Sequence, residues 1–91
     1  MSLSHTQIAE KLHEVDGWHQ RGNAIEKLFD RKNFDGSMAF VNAVAKVANE
    51  HNHHPDIAIS WNRVTLTLSS HDAGGLTERD FALAKAVDAL A

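Results

Sequence analysis

The sequence predicts an α+β fold, an antiparallel four-stranded sheet with three helices packed on one face, in the order α-β-β-α-β-β-α. Three observations predict it. Helix capping signals stand near both ends of the chain, a long stretch with apolar residues at helical spacing lies between them, and two runs of alternating apolar and polar residues follow that stretch. The 91 residues contain no repeat or linker, so we expect one domain over residues 1–91.

The two terminal helices are predicted from their first residues. Ser4 and Gln7 form a capping box, which begins a helix over about residues 4–15. Thr77 and Asp80 form a second capping box, which begins a helix that runs to the C-terminus. Their buried sides are expected to consist of apolar residues at helical spacing, namely Ile8, Leu12, Val15, Phe81, Ala84, Val87 and Leu90.

The middle helix is predicted over about residues 35–50. It should end before Pro55, because the residue that precedes a proline is disfavoured in the α region. Two short strands, near residues 18–19 and 24–31, are expected to precede it. Its buried side is expected to consist of Phe40, Val41, Val44, Val47 and Ala48.

The last two strands are predicted from two alternating runs, which are Ile57, Ile59 and Trp61, then Val64, Leu66 and Leu68. A two-residue turn at 62–63 would pair Trp61 with Val64 and put all six apolar side chains, Trp61 included, on the core face of the sheet. The same register, extended to the open end of the hairpin, would place His54 opposite His71 with their Cβ atoms about 5 Å apart.

Composition excludes several classes of function. The chain has no cysteine, so disulfides, thiol nucleophiles and thiolate metal sites are ruled out. Its net charge of −3 argues against direct binding to nucleic acid, which favours a basic face. No apolar run approaches the ~20 residues that cross a bilayer, and residues 1–5 lack the basic and apolar blocks of a signal peptide. We therefore expect a cytoplasmic protein without a membrane partner.

Histidine is the unusual component of the sequence. Four of the seven histidines, His51, His53, His54 and His71, fall between residues 51 and 71. Imidazole has an unperturbed pKa of about 6.5, so one ring can donate a proton and another can accept one near neutral pH. Two close rings also resist being charged together, which separates their roles. We expect His53, His54 and His71 to form the working site.

Zinc binding is the alternative interpretation of these histidines. The four side chains could supply nitrogen ligands, and the oxygen ligands could come from Glu50, Asp56 or Asp72. Adjacent residues such as His53 and His54 tend to point apart, however, and no His-Glu-x-x-His helix is present. A histidine-ligated metal hydrolase is therefore less favoured than metal-free acid–base catalysis.

One string of residues joins these histidines to other polar and aromatic positions. Glu50-His51-Asn52-His53-His54-Pro55 is followed by Trp61, His71 and Asp80. The pattern resembles the signature of the pterin-4a-carbinolamine dehydratases, which has a His-His-Pro run, an aromatic residue, a second histidine and an aspartate at these spacings. The resemblance extends over most of the chain. One departure is Asn49, which stands where the family usually has a charged residue.

The resemblance implies a four-stranded antiparallel sheet with three helices on one side, and a specific reaction. The substrate would be a 4a-hydroxytetrahydropterin, which loses water to give a quinonoid dihydropterin in the recycling of tetrahydrobiopterin. The leaving hydroxyl needs a proton, the N5 hydrogen needs a base, and the N5 lone pair expels the hydroxyl, so neither a metal nor a redox cofactor is expected. Positioned acid–base catalysis of this kind contributes about 10²–10⁴-fold in rate.

The resemblance also implies roles for individual residues. His53 and His71 would be the proton-transfer pair, and His54 would bind and orient the substrate, although the predicted hairpin favours His54 as the neighbour of His71. Asp80 would hold His71 in one tautomer, as a carboxylate behind a histidine does. Trp61 would be a structural signature residue near the site. The residues that bind the pterin would be Asn52, Pro55, Ser69, Ser70 and Asp72.

A protein-binding role without catalysis is the second interpretation. Animal members of the family also bind a homeodomain transcription factor, and some relatives act as assembly factors. All three motif histidines are present, which favours catalysis. We expect a homodimer or homotetramer, because a chain of this size gains from burying a sheet edge or an apolar helical face against a copy of itself.

Overall fold

The structure is a computed structural model in which residues 2–91 are described. The predicted α+β order α-β-β-α-β-β-α is confirmed, with one short 3-10 turn before the last helix. The elements are α1 (His5–Leu12), β1 (His19–Arg21), β2 (Ala24–Asp30), α2 (Phe34–His51), β3 (Asp56–Ser60), β4 (Arg63–Leu68), the 3-10 turn (His71–Ala73) and α3 (Glu78–Asp88).

Both predicted capping boxes begin their helices. Before α1, the Gln7 N–H donates to the Ser4 hydroxyl at 3.2 Å, and the Ser4 N–H donates to the Gln7 side-chain oxygen at 2.8 Å. Before α3, the Thr77 N–H donates to the Asp80 carboxylate at 2.9 Å. These contacts satisfy N–H groups that have no partner inside a helix.

Helix α1 is shorter than predicted, since it ends at Leu12. The N–H groups of His13 and Glu14 bond to carbonyls only three residues back, which tightens the last turn. Gly17 then takes a left-handed conformation with φ of +81°, and the chain turns towards β1.

The sheet order is β1-β2-β4-β3, with every neighbouring pair antiparallel. One face of the sheet carries buried apolar side chains, namely Ile25, Phe29, Val64, Leu66 and Leu68. All three helices add to the same buried cluster, through Ile8, Phe40, Val44, Phe81, Leu83, Ala84 and Val87. One sheet face and three helices thus enclose a single core.

The register of the β3–β4 hairpin differs from the prediction by two residues. Ser60 pairs with Arg63, so Trp61 and Asn62 form the turn, and the predicted pairing of Trp61 with Val64 is wrong. A shift by an even number of residues keeps the other apolar side chains on the predicted face.

The observed register also removes the predicted opposition of His54 and His71. Strand β3 begins at Asp56 and β4 ends at Leu68, so neither histidine lies in a strand. Their positions are set instead by the segment after α2 and by the 3-10 turn.

Trp61 lies at the surface, which corrects the prediction that it packs in the core. Its side chain is 68% exposed, and its φ of +52° lies in the left-handed region that bulky residues rarely adopt. The Ser37 hydroxyl donates to the Trp61 carbonyl at 2.6 Å, which ties the turn to the first turn of α2. The alternation of β3 fails at Trp61 because the chain reverses direction there.

Strand β3 is an edge strand, and all five of its residues are exposed. Ile57 and Ile59 are 38% and 39% exposed, although they lie on the face that is apolar in β4. We call these two isoleucines, together with the exposed Trp61 of the turn that follows β3, the edge surface. No helix within residues 2–91 is long and apolar enough to span a bilayer.

Candidate active site

His53 is positioned by the end of helix α2. Asn52 caps the helix in a left-handed conformation with φ of 50°, which Asn tolerates better than most residues. The Asn52 N–H bonds to the Asn49 carbonyl at 3.2 Å, and the His53 N–H bonds to the Ala48 carbonyl at 3.1 Å. These bonds reverse the chain, and His53 is buried as a result.

The buried partner of His53 is Asp80. Nε2 of His53 lies 2.6 Å from Oδ1 of Asp80, and Asp80 is 0% exposed. The other carboxylate oxygen, Oδ2, accepts the Ser70 hydroxyl at 2.8 Å and the Thr77 N–H at 2.9 Å. Three hydrogen-bond donors therefore surround a carboxylate that is shielded from solvent. A buried charge requires such donors, because it has lost its contacts with water.

This contact corrects the predicted pairing of Asp80 with His71. His71 lies at the exposed start of the 3-10 turn, and its Nε2 is 3.2 Å from the Ser69 hydroxyl. Asp80 faces the interior from the first turn of α3, where the histidine that it meets is His53. The spacing in the sequence predicts a carboxylate behind a histidine but not which histidine it faces.

The contact with Asp80 fixes the roles of the two ring nitrogens of His53. An ionised carboxylate only accepts hydrogen bonds, so Nε2 carries the hydrogen. Nδ1 has no hydrogen-bond partner within residues 2–91, and no buried side-chain nitrogen or oxygen of these residues lacks one. Nδ1 therefore reaches the surface, where it can accept a proton when the ring is neutral.

His54 and Pro55 continue the chain at the surface. Nε2 of His54 lies 3.0 Å from the amide oxygen of Asn49, so Nε2 is a donor here. Asn49 lies in the last turn of α2. His54 is exposed and Pro55 is half-buried.

His71 borders a cavity of about 210 Å³ on the loop between β4 and α3. The 3-10 turn that carries it is closed by Gly74 with φ of +75°, and paired backbone bonds between Ser70 and Gly75 fix the base of the loop. The cavity is lined by Asn23, Ala24, Ser69, Ser70, His71, Gly74 and Gly75. The β1–β2 turn thus contributes Asn23, which no pattern in the sequence indicated.

Asp72 forms an exposed ion pair with Arg79, whose guanidinium nitrogen lies 2.7 Å from its carboxylate. This hydrogen bond holds the pKa of Asp72 below its ordinary value, and the charges of Arg79 and His53 act in the same direction. Three of the predicted substrate-binding residues, Asn52, Pro55 and Asp72, lie outside the lining of the His71 cavity.

The predicted zinc set does not assemble. Within residues 2–91, no three histidine, aspartate or glutamate side chains are grouped so that they could hold a metal ion. One of the four histidines of the zinc interpretation, His53, already uses one nitrogen on Asp80.

A family model for pterin 4 alpha carbinolamine dehydratase matches residues 1–90. The chain belongs to the pterin-4a-carbinolamine dehydratase family. Its resemblance to that family is confirmed, and by family it is a hydro-lyase. A Thermomicrobium roseum protein named for pterin-4-alpha-carbinolamine dehydratase is 51% identical over 98% of this chain and 96% of its own length. A Sulfolobus acidocaldarius protein with the same name is 43% identical over 97% of each chain.

Solved structures agree with this dehydratase-family assignment. A Brucella melitensis protein described as a transcriptional coactivator/pterin dehydratase superposes with a TM-score of 0.95 at 32% identity, over 100% of this chain and 99% of its own. A pterin dehydratase-like protein identified as a RuBisCO assembly factor of the alpha-carboxysome superposes with a TM-score of 0.69 at 30% identity. That match covers 81% of this chain and 88% of the other.

Two features of this dehydratase-family site were not found from the sequence. One is the His53–Asp80 contact, and the other is the pair of hydroxyls, Ser70 and Thr77, that stands behind the carboxylate. The capping box of α3 was the one signal available, since it places Asp80 near Thr77. A capping box gives no information about His53 and Ser70, which come from distant parts of the chain and pack against Asp80.

Proposed function

We propose that this protein dehydrates a 4a-hydroxytetrahydropterin to a quinonoid dihydropterin by histidine acid–base catalysis, as a step of tetrahydrobiopterin recycling. The observation that carries the proposal is the His53–Asp80 contact, which leaves Nδ1 of His53 at the surface as a proton acceptor. Membership of the family supports the substrate class.

The reaction moves two protons and requires no oxidant or reductant. One proton reaches the C4a hydroxyl as the C4a–O bond breaks and water leaves. The N5 lone pair forms the new N5–C4a double bond, and the N5 hydrogen then goes to a base. A site for this reaction needs one donor and one acceptor, each within hydrogen-bond reach of its atom.

His53 is the base in this proposal, and His71 is the acid. When Nδ1 of His53 takes the N5 proton, the ring becomes positive while Nε2 stays bonded to the Asp80 carboxylate, which stabilises that charge. His71 is exposed beside the 210 Å³ cavity, where it can deliver a proton to a leaving hydroxyl. This assignment gives the two histidines different environments and therefore different tasks.

His54 binds and orients the substrate in this proposal. Its Nε2 is occupied by Asn49, so Nδ1 is the nitrogen left for a substrate hydrogen. The pterin would also be bound by Asn52, Pro55, Ser69, Asp72 and the backbone of Ser70. Because Ser70 is 1% exposed, its hydroxyl has no part in that contact.

The direct test is a dehydratase assay with a synthetic or enzymatically generated carbinolamine. We expect the purified chain to accelerate water loss above the spontaneous rate, and His53→Ala to abolish most of the gain. A folded wild-type protein that leaves the spontaneous rate unchanged would refute the enzymatic proposal.

A non-catalytic protein-binding role is the second candidate, and the edge surface favours it. Exposed Ile57, Ile59 and Trp61 offer an apolar contact area at the outer edge of the sheet. The names of the two superposed proteins include a coactivator and an assembly factor. A chain that lacks dehydratase activity but binds a partner through this surface would favour the second candidate.

We also propose a homo-oligomer, at least a dimer, built on strand β3. Antiparallel pairing of two β3 strands about Ala58 would set Asp56 opposite Ser60 of the second copy and Ile57 opposite Ile59. No like charges would face each other in this pairing. The contact would also remove four isoleucine side chains, two from each copy, from solvent. An isologous contact of this kind closes after two copies.

A cytoplasmic site of action completes the proposal. The absence of cysteine is compatible with a reducing compartment. Fractionation of cells that express the chain from its own promoter would test the location, and enrichment outside the cytoplasmic fraction would contradict it.

A further inference from the structure

The Ser70 hydroxyl faces the protein interior rather than the cavity beside it. Its oxygen lies 2.8 Å from Oδ2 of Asp80 and 2.9 Å from the Thr77 hydroxyl, and all three residues are buried. Paired backbone bonds with Gly75, at 3.3 Å each, fix the main chain of Ser70. Because this hydroxyl is buried and fixed by hydrogen bonds, we expect it to have a role other than contact with the substrate.

The direction of the hydrogen bonds around Ser70 follows from their chemistry. The ionised Asp80 carboxylate can only accept, so the single Ser70 hydrogen points to Oδ2. The Thr77 hydroxyl must then donate to the Ser70 oxygen, and the Arg79 N–H donates to Thr77 at 3.2 Å. A directed chain of donors thus runs from the start of α3 to the carboxylate behind His53.

This chain determines which oxygen of Asp80 meets His53. Oδ2 is held by two donors, the Ser70 hydroxyl and the Thr77 N–H, so rotation of the carboxylate would break both bonds. Oδ1 consequently stays on Nε2 of His53. Without Ser70, one donor alone would resist that rotation, and both the tautomer and the tilt of the His53 ring would be less restricted.

We propose that Ser70 is a positioning residue, which orients the Asp80 carboxylate so that His53 keeps its hydrogen on Nε2 and presents Nδ1 to the substrate. The structural part of this proposal stands on the contacts alone, and its catalytic consequence rests on the proposed function. Ser70 does not touch the reacting atoms.

The kinetic test compares Ser70→Ala with Ser37→Ala. Ser37 is a matched control, because it is also buried and its hydroxyl also donates a hydrogen bond, in this case to the Trp61 carbonyl at the far end of α2. The loss of a hydrogen bond to a charged group corresponds to a change of about tenfold in a rate constant. We therefore expect Ser70→Ala to lower kcat roughly tenfold and to leave KM within about twofold of the wild-type value. Ser37→Ala should retain kcat, and Ser70→Thr, which keeps the hydroxyl, should recover most of the loss. Equal kcat in Ser70→Ala and wild type would overturn the catalytic consequence.

The structural test uses ¹⁵N NMR of labelled histidine, with the His53 signals assigned by their loss in His53→Gln. The wild type should show Nε2 protonated and Nδ1 unprotonated, and Ser70→Ala should shift both signals towards the average of two tautomers. Unchanged His53 signals in a folded Ser70→Ala would overturn the proposal. If Ser70→Ala does not fold, Ser70→Cys gives the same test with a weaker donor of similar size. A wild type without dehydratase activity would refute the proposed function, and the NMR result would still decide this one.

Discussion

Nε2 of His53 lies 2.6 Å from Oδ1 of Asp80, and the contact joins the end of α2 to the first turn of α3. Both side chains are buried, so solvent screens their interaction little. The contact gives the ring a fixed orientation before any substrate binds. Its energetic importance can be measured by removing each partner separately and then both together.

Asp80→Asn should lower kcat by about 10² or more, because an amide neither fixes the hydrogen on Nε2 nor stabilises the protonated ring. If Asp80 acts only through His53, then Asp80→Asn combined with His53→Ala should be no slower than His53→Ala alone. Steady-state kinetics of the three variants check this. Asp16→Asn, in the exposed loop after α1, should behave as wild type. Fully multiplicative losses would contradict the assignment.

His71→Ala and His53→Ala should each lower kcat strongly, whereas His54→Ala should raise KM more than it lowers kcat. The double variant of His53 and His71 should lose less than the product of the single losses, since groups that act as one unit are not additive. His13→Ala, on the exposed end of α1, is the control and should be silent. A folded and fully active His71→Ala would refute the proton-transfer role.

Activity should survive dialysis against a strong chelator, because one histidine that donates a proton and one that accepts a proton are sufficient for the reaction as proposed. The measurement is kcat before and after dialysis, with zinc added back to one portion. Activity that is lost and then restored only by zinc would instead favour a metallohydrolase.

The combined substitution Ile57→Lys and Ile59→Lys should give a monomer, because it places charges opposite one another across the proposed β3–β3 contact. Light scattering over a range of protein concentrations measures the mass. Leu28→Lys is the control, since Leu28 is also an exposed apolar residue of the sheet but lies on strand β2. A wild-type mass that is monomeric at every concentration would refute the oligomer.

The pKa of Asp30 is lowered, chiefly by the Lys32 N–H and next by the Asn62 side chain, which both donate to its carboxylate. A carboxyl group whose pKa is lower in the folded state stabilises the fold above its unfolded pKa of about 3.9, and this stabilisation is lost as the pH falls through the folded value. Asp30→Asn should therefore lower Tm at neutral pH, and the difference should shrink in acid. A gap in Tm that is independent of pH would contradict this.

Much of the fold could be predicted because its signals are local. The capping boxes at Ser4 and Thr77 depend on residues three positions apart, and both were found where predicted. The core face of β4 follows from alternation alone, so it survived an error in the register. These features require no knowledge of the strand or helix that packs against them.

The register and the partner of Asp80 could not be predicted because they depend on distant contacts. Trp61 takes the left-handed position of the turn, where glycine or asparagine is favoured, so the turn chemistry indicated the wrong pair. Asp80 meets His53 because α2 and α3 pack together, whereas spacing along the chain treats His53 and His71 alike.

The Asp80 carboxylate also belongs to the capping box of α3, so a local opening of the chain at that point would release the His53 ring as well. The Thr77 N–H is protected from exchange with solvent by its bond to Oδ2 of Asp80, and Oδ1 of the same carboxylate holds the His53 ring. If the first turn of α3 unwinds, the amide becomes free to exchange and His53 loses its anchor in one event. Hydrogen exchange at the Thr77 amide would thus measure how often a folded molecule loses the His53–Asp80 contact on which the proposed reaction depends.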